Sequence, residues 1–159
     1  YKRGFAKEGY KSLHALYRQS ANFEVSRIYP GIPEYFNGRG RGMYHYLTGA
    51  ASWYMLTVIT EMFGVRGRIG DMILEPKLLK EQFDEEKKAS LTLQFADKNW
   101  KITYLNREEK DYGEYQIADV TVDGEKINFV PKQHEAVVPK NRIEKLSGNE
   151  THQIEVVLA

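Results

Sequence analysis

The sequence contains no cysteine, which excludes disulfides, a catalytic thiolate and Cys-ligated zinc, and which fits a cytoplasmic location. It has no excess charge of either sign. Its 23 Lys and Arg nearly cancel 22 Asp and Glu, so no global field draws the chain to nucleic acid or to an anionic membrane surface. Small polar substrates suit that balance better. Long apolar runs are also missing: the longest, Ala50 to Thr60, is closed by Glu61 and falls well short of the ~18 to 20 residues of a membrane span. His14, His134 and His152 are scattered, and neither a His-Glu-x-x-His spacing nor an acidic calcium loop occurs, so no metal is expected. The start, Tyr1-Lys2-Arg3-Gly4, has neither an initiator Met nor a charged-then-apolar leader and reads as a cut point in a longer polypeptide.

What is present divides into two unlike halves. Tyr10, Leu13, Leu16 and Tyr17 recur at helical spacing and predict an amphipathic helix over Ala6 to Ala21. Ile28 to Gly42 is dense in Pro and Gly and predicts a shaped loop. Gly49 to Phe63 is apolar on nearly every face, which predicts a helix buried on all sides and stopped by Gly64. One amphipathic helix cannot enclose it, so further helices are expected upstream.

After Gly64 the period changes to two, the strand signal. Leu91, Leu93 and Phe95, then Trp100, Ile102 and Tyr104, predict a hairpin turning at Ala96 to Asn99. Ile117, Val120 and Val122 lead into Asp123-Gly124, a strong turn dipeptide, and with a return through Ile127 and Phe129 predict a second hairpin. Strands are also expected at Met72 to Leu74, near Val137 to Ile143, and at Ile154 to Leu158, giving an antiparallel two-layer β-sandwich. The fold class is therefore α+β, with a helical part over residues 1–63 and a β part over 64–159.

Candidate chemistry gathers in the first half. Thr48 stands where the loop meets the predicted apolar helix, a natural N-cap position. The free amides and positive dipole end there, with Gly49 permitting close approach, suit a phosphate, although the same residues also serve as a plain cap. Gly38-Arg39-Gly40-Arg41-Gly42 offers guanidinium forks for phosphate or sugar hydroxyls, or alternatively a solvated loop with an internal ion pair. Glu34 is aimed by rigid flanking residues, with Tyr35, Tyr44 and Tyr46 as stacking or hydroxyl partners; taken alone it reads as a surface acid. His45 is a phosphate donor or a structural histidine. Glycoside chemistry needs two carboxyl groups, and no such pair stands out, so no catalytic residue is assigned in this chain.

Taken together, Ile28-Tyr29-Pro30-Gly31-Ile32-Pro33-Glu34-Tyr35-Phe36-Asn37, Gly38-Arg39-Gly40-Arg41-Gly42-Met43-Tyr44-His45-Tyr46-Leu47-Thr48-Gly49-Ala50-Ala51-Ser52-Trp53 and Gly64-Val65-Arg66-Gly67-Arg68-Ile69-Gly70-Asp71 resemble the end of glycoside hydrolase family 94, which contains cellobiose, cellodextrin, laminaribiose and chitobiose phosphorylases. The resemblance is dense from Arg27 to Phe83 and fades over the last 30 residues. It implies the last helices of an (α/α)6 catalytic barrel followed by a jelly-roll-like β-sandwich. The activity it implies is inverting phosphorolysis of β-glucosides, with inorganic phosphate as co-substrate, no cofactor, and a homodimeric assembly. It places Thr48 and Gly49 on phosphate and matches Glu34 to a Gln or Glu position lining the phosphate and sugar site, and it leaves the catalytic Asp, a phosphate-binding His and another phosphate-binding Arg in an upstream part of the polypeptide; Arg41 and His45 are substrate-binding candidates from the loop's own residues. The short loop after Ile32-Pro33-Glu34-Tyr35 is more similar to the cellodextrin and laminaribiose enzymes. Two other readings belong to different classes: a carbohydrate-binding module using Trp100 and Tyr104, and a structural tail over residues 65–159.

Overall fold

A computed structural model describes residues 1–28, 30–44, 49–127, 134–148 and 150–159. The chain forms two compact units, Tyr1–Met62 and Phe63–Ala159, with mixed α and β structure.

In the first unit, α1 (Ala6–Ala21) spans the expected segment, with Tyr10, Leu13 and Leu16 half-buried. The short α2 (Phe23–Ser26) follows across a corner pinned by Ser26 Oγ, which donates to Ser20 O at 2.8 Å. A small antiparallel hairpin, β1 (Tyr35–Phe36) and β2 (Gly42–Met43), precedes α3 (Gly49–Thr57). The expectation of one helix from Gly49 to Phe63, buried on all sides, does not hold. The α-helical hydrogen bonding stops at Thr57 and a π-helical turn occupies Val58–Met62. Thr57 and Thr60 each return their hydroxyl to the carbonyl four residues back, a bond that loosens the helical ladder. No residue of α3 is buried, and Trp53 is 72% exposed.

The second unit carries the larger core. Its five-stranded sheet runs in the order β5 (Lys88–Phe95), β6 (Lys98–Leu105), β10 (Thr151–Leu158), β7 (Ile117–Val122), β8 (Glu125–Lys126). Alternation buries Trp100, Ile102 and Tyr104 of β6, Val120 and Val122 of β7, and Ile154, Val156 and Leu158 of β10, while Lys101, Gln153 and Glu155 stay exposed. A three-stranded sheet, β3 (Val65–Arg68), β4 (Asp71–Leu74) and β9 (Ala136–Val138), adds Met72, Ile73 and Leu74, and α4 (Lys140–Glu144) follows β9 where the sequence pattern had suggested continued strand. Tyr115 ties a loop into the core: its hydroxyl accepts from Leu78 N at 2.8 Å and faces the carbonyls of Pro76 and Leu78.

Both expected turns form, each of two residues at positive φ, the geometry that follows the right-handed twist of paired strands; the expected return through Ile127 and Phe129 is instead the short β8, and Phe129 lies outside the described residues. Asp123 (φ 50°) and Gly124 (φ 80°) make one. Ala96 (φ 51°) and Asp97 (φ 56°) make the other, so the turn is shorter than the expected Ala96 to Asn99 and β6 begins at Lys98.

The expectation of a wholly antiparallel arrangement is corrected at the sheet centre. β10 pairs antiparallel with β7 but parallel with β6, with Ile154 opposite Ile102 and Val156 opposite Tyr104. The chain reaches β10 only after β7, β8, β9 and α4, and that long return lets it enter the sheet in either direction.

Candidate functional site

The residues of interest sit on the β1–β2 hairpin and the start of α3. Asn37 organises the five-residue connection. Its Oδ1 accepts from Arg39 N at 2.9 Å and from Arg41 N at 3.1 Å, while its backbone exchanges with Arg41 O and Gly40 N at 2.9 Å each. Gly40 adopts φ +80° where a Cβ would lie 2.8 Å from both Gln19 Nε2 and Val25 Cγ1, and Gln19 Nε2 donates to Gly40 O at 2.8 Å. The loop is therefore seated on the α1–α2 corner by a backbone conformation and a close approach that favour glycine. The hairpin extends one residue past β1, because Glu34 N donates to Tyr44 O at 3.0 Å.

Glu34 is the residue that joins the hairpin to the helix. Its Oε2 accepts from Ala50 N at 3.1 Å and would lie 3.9 Å from a Cβ built on Gly49. A carboxylate is favourable there, because the first amides of a helix lack internal partners and carry its positive dipole end. Two of the sequence candidates, Glu34 and Gly49, thus come together over 14 intervening residues. A third, Arg41, lines an open cavity of about 360 Å³ with Asn37, Gly42, Met43 and Tyr44. The rings of Tyr35 and Tyr44 lie 6.4 Å apart at 31°, both exposed. The other two candidates, His45 and Thr48, lie outside the described residues.

Asn37 was not singled out from sequence as a site-building residue. Asn directly before Gly-x-Gly is a recognisable signal, since its short side chain mimics a turn of backbone. Trp100 and Tyr104, the surface aromatics that a carbohydrate-binding module would need, are fully buried. Among the described residues, no group of three or more His, Asp or Glu side chains is placed to hold a metal ion, and no helix is long and apolar enough to cross a membrane.

A separate polar constellation lies inside the second unit. His152, almost wholly buried against the Trp100 ring, directs Nδ1 at Asp123 Oδ2 (2.7 Å) and Nε2 at Ser147 O (2.9 Å). Both partners accept, so only the doubly protonated imidazolium donates to both. Burial disfavours that cation, but the bonds to Ser147 and Asp123 and the charges of Asp123 and Glu150 outweigh it and hold the pKa above its ordinary 6.5. Burial likewise pushes Asp123 up, yet the Gln153 amide, His152 and Arg142 together hold it below 3.8.

The two shifts act at opposite ends of the pH scale. The raised histidine stabilises fully below about pH 6.5 and loses that contribution as pH rises through its folded pKa. The lowered carboxyl stabilises fully above about pH 3.8 and loses its contribution as pH falls through its folded pKa. Proton NMR titration of the His152 ring should give a midpoint above 6.5 that drops in Asp123→Asn; a midpoint at or below 6.5 would refute the paired imidazolium.

No protein-family model matches the chain, and no curated protein matches it in a sequence search.

Proposed function

We propose that the chain is the C-terminal part of an inverting glycoside phosphorylase, a glycosyltransferase of the cellodextrin and laminaribiose kind. The reading rests on the resemblance of residues 27–83 to family 94, and the observation that best supports it is the seating of Glu34 on the first turn of α3, beside Gly49. In this reaction a phosphate oxygen forms a bond to the anomeric carbon, the β-glucosidic C–O bond breaks, and a carboxylic acid protonates the departing oxygen. The products are α-glucose 1-phosphate and a shortened sugar. The acid belongs to an upstream part of the polypeptide. No cofactor takes part.

Under this reading Thr48 and Gly49 hold the phosphate at the helix end, while Glu34, Arg41 and His45 line the adjoining phosphate and sugar site. An ionised Glu34 accepts hydrogen bonds and donates none, so it tolerates a neighbouring phosphate only through a P–OH that donates to it. Hydrogen phosphate carries such a proton. The first unit then belongs to the end of an (α/α)6 barrel, the two sheets of the second unit form a jelly-roll-like sandwich, and the assembly is a cytoplasmic homodimer. The second unit serves as structural support: the burial of Trp100 and Tyr104 weighs against a sugar-binding face there.

The test is release of glucose 1-phosphate from cellobiose and longer cellodextrins, with and without phosphate, by this chain and by the longer polypeptide that the reading implies. Phosphate-dependent release by the longer polypeptide and none by the chain alone is expected. Absence of release from every β-glucan tried would overturn the reading.

A further inference from the structure

We infer that the outer edge of β5 is a self-association surface, at which two copies of the chain join by antiparallel β5–β5 pairing about a twofold axis at Thr92. The sheet alone carries this, independently of the phosphorolytic reading, whose homodimer has no surface assigned to it. Strand residues turn both backbone groups to alternate sides. Lys87 O accepts from Asn106 N at 2.9 Å on the β6 side, whereas Lys88 faces away from β6: its N–H donates to Asp84 Oδ1 and its C=O accepts from Asp84 N, each at 2.9 Å. The alternation then points the N–H and C=O of Ser90, Thr92 and Gln94 outward, where no hydrogen bond from a described residue reaches them.

This edge is long, uncharged and leaves the core open. From Ala89 to Phe95 it contains no charged residue and no Pro, the devices that usually blunt an exposed strand. The opposite edge of the same sheet is blunted, because β8 consists of Glu125 and Lys126 alone, both exposed. On the inner face Ile102 and Trp100 of β6 are wholly buried, while Leu91 and Leu93, opposite them on β5, are only half-buried, as is Phe95. One further strand would remove that apolar surface from water.

The strand that fits is a second β5, because one register suits backbone, side chains and charge together. With Thr92 opposite Thr92 of the other copy, Ser90 faces Gln94, and all three outward residues exchange both of their hydrogen bonds. Leu91 then meets Leu93 and Ala89 meets Phe95 on the inner face, while Lys87 approaches Asp97, a charge of opposite sign, beyond the paired residues. The twofold axis repeats each contact. Neighbouring registers lose part of this. An axis at Leu91 sets Gln94 against Lys88, whose backbone is already held by Asp84, and an axis at Leu93 sets Lys88 against Lys98, like charges face to face.

The test is sedimentation equilibrium of this chain at about 100 µM, where twice the monomer mass is expected. Thr92→Lys and Thr92→Glu each place like charges at the axis and should weaken association at least about tenfold, whereas an equimolar mixture of the two variants should restore it by pairing opposite charges. Thr92 is exposed, so both variants should keep the far-UV circular dichroism of the wild type. Thr151→Lys, which charges another exposed threonine of the same sheet, should leave association within about twofold. In the wild type, hydrogen exchange at the amides of Ser90, Thr92 and Gln94 should slow as concentration rises. A monomeric wild type at that concentration, a dimer that survives both Thr92 variants, or a mixture that stays monomeric would overturn the inference. None of these outcomes bears on release of glucose 1-phosphate, so the phosphorolytic reading fails or stands by its own assay.

Discussion

Gly64→Ala should prevent the second unit from folding or cost it at least about 4 kcal/mol. Gly64 has φ +68°, and its carbonyl accepts from Glu75 N at 2.9 Å at the open end of the β3–β4 pair. A Cβ there would stand 1.8 Å from Glu75 O, 2.1 Å from Glu75 C and 2.8 Å from Pro76 N. All three atoms are backbone, and the segment is anchored on both sides: Glu75 pairs with Arg66, and the carbonyl of Pro76 meets the Tyr115 hydroxyl. No side-chain rotation relieves the collision.

Strain and collision can be separated by comparison with Gly113, which also has positive φ (97°) but open space around it. Gly113→Ala meets only the backbone penalty, about 1 to 2 kcal/mol. Urea unfolding followed by far-UV circular dichroism should therefore show a modest loss in Gly113→Ala and loss of the folded baseline in Gly64→Ala. Equal, small shifts in the two variants would mean that the β3–β4 end is free to open.

Trp100→Ala should cost about 3 to 5 kcal/mol, the range for removing a large aromatic from a packed interior. The side chain is wholly buried on the inner face of β6, in register with Leu93 of β5 and His152 of β10, and its Nε1 donates to Phe95 O at 3.0 Å beside the tight turn. The void would open where three strands meet, and rigid strands collapse poorly into a gap. Trp100→Phe keeps most of the volume and forfeits the N–H bond, so its loss should be smaller, about 1 to 2 kcal/mol. The denaturation midpoints should rank wild type, then Phe, then Ala. Phe and Ala losing equally would show that the hydrogen bond outweighs the packing.

How much of this was legible in the sequence depends on the range over which each feature is decided. The Asp123–Gly124 turn is written locally, because few dipeptides accept two successive positive φ values. Ala96–Asp97 adopts the same geometry without such residues, and the alternation alone placed the turn two residues too long. The end of α3 was misjudged for a related reason: apolar composition hid Thr57 and Thr60, whose hydroxyls compete with the helical ladder.

Position within a sheet is decided at longer range still. The pattern of Ile154, Val156 and Leu158 announces a strand with one buried face, yet nothing in that period says whether its neighbours run parallel or antiparallel. In the candidate site, Glu34 and Gly49 were each legible as residue types suited to a loop and a helix start. Their contact is a property of the folded hairpin, whose geometry depends on Gln19 from α1 as much as on its own glycines.

The placement of β10 has a consequence for how the chain is made. Ribosomes deliver β5–β6 and β7–β8 first, and each hairpin can close as soon as it emerges. The inner edges of β6 and β7 then wait, unpaired, for the strand that belongs between them. Until Thr151–Leu158 leaves the exit tunnel, the nascent unit exposes two ready templates for pairing with a stranger, and assembly of its sheet must follow the clock of translation.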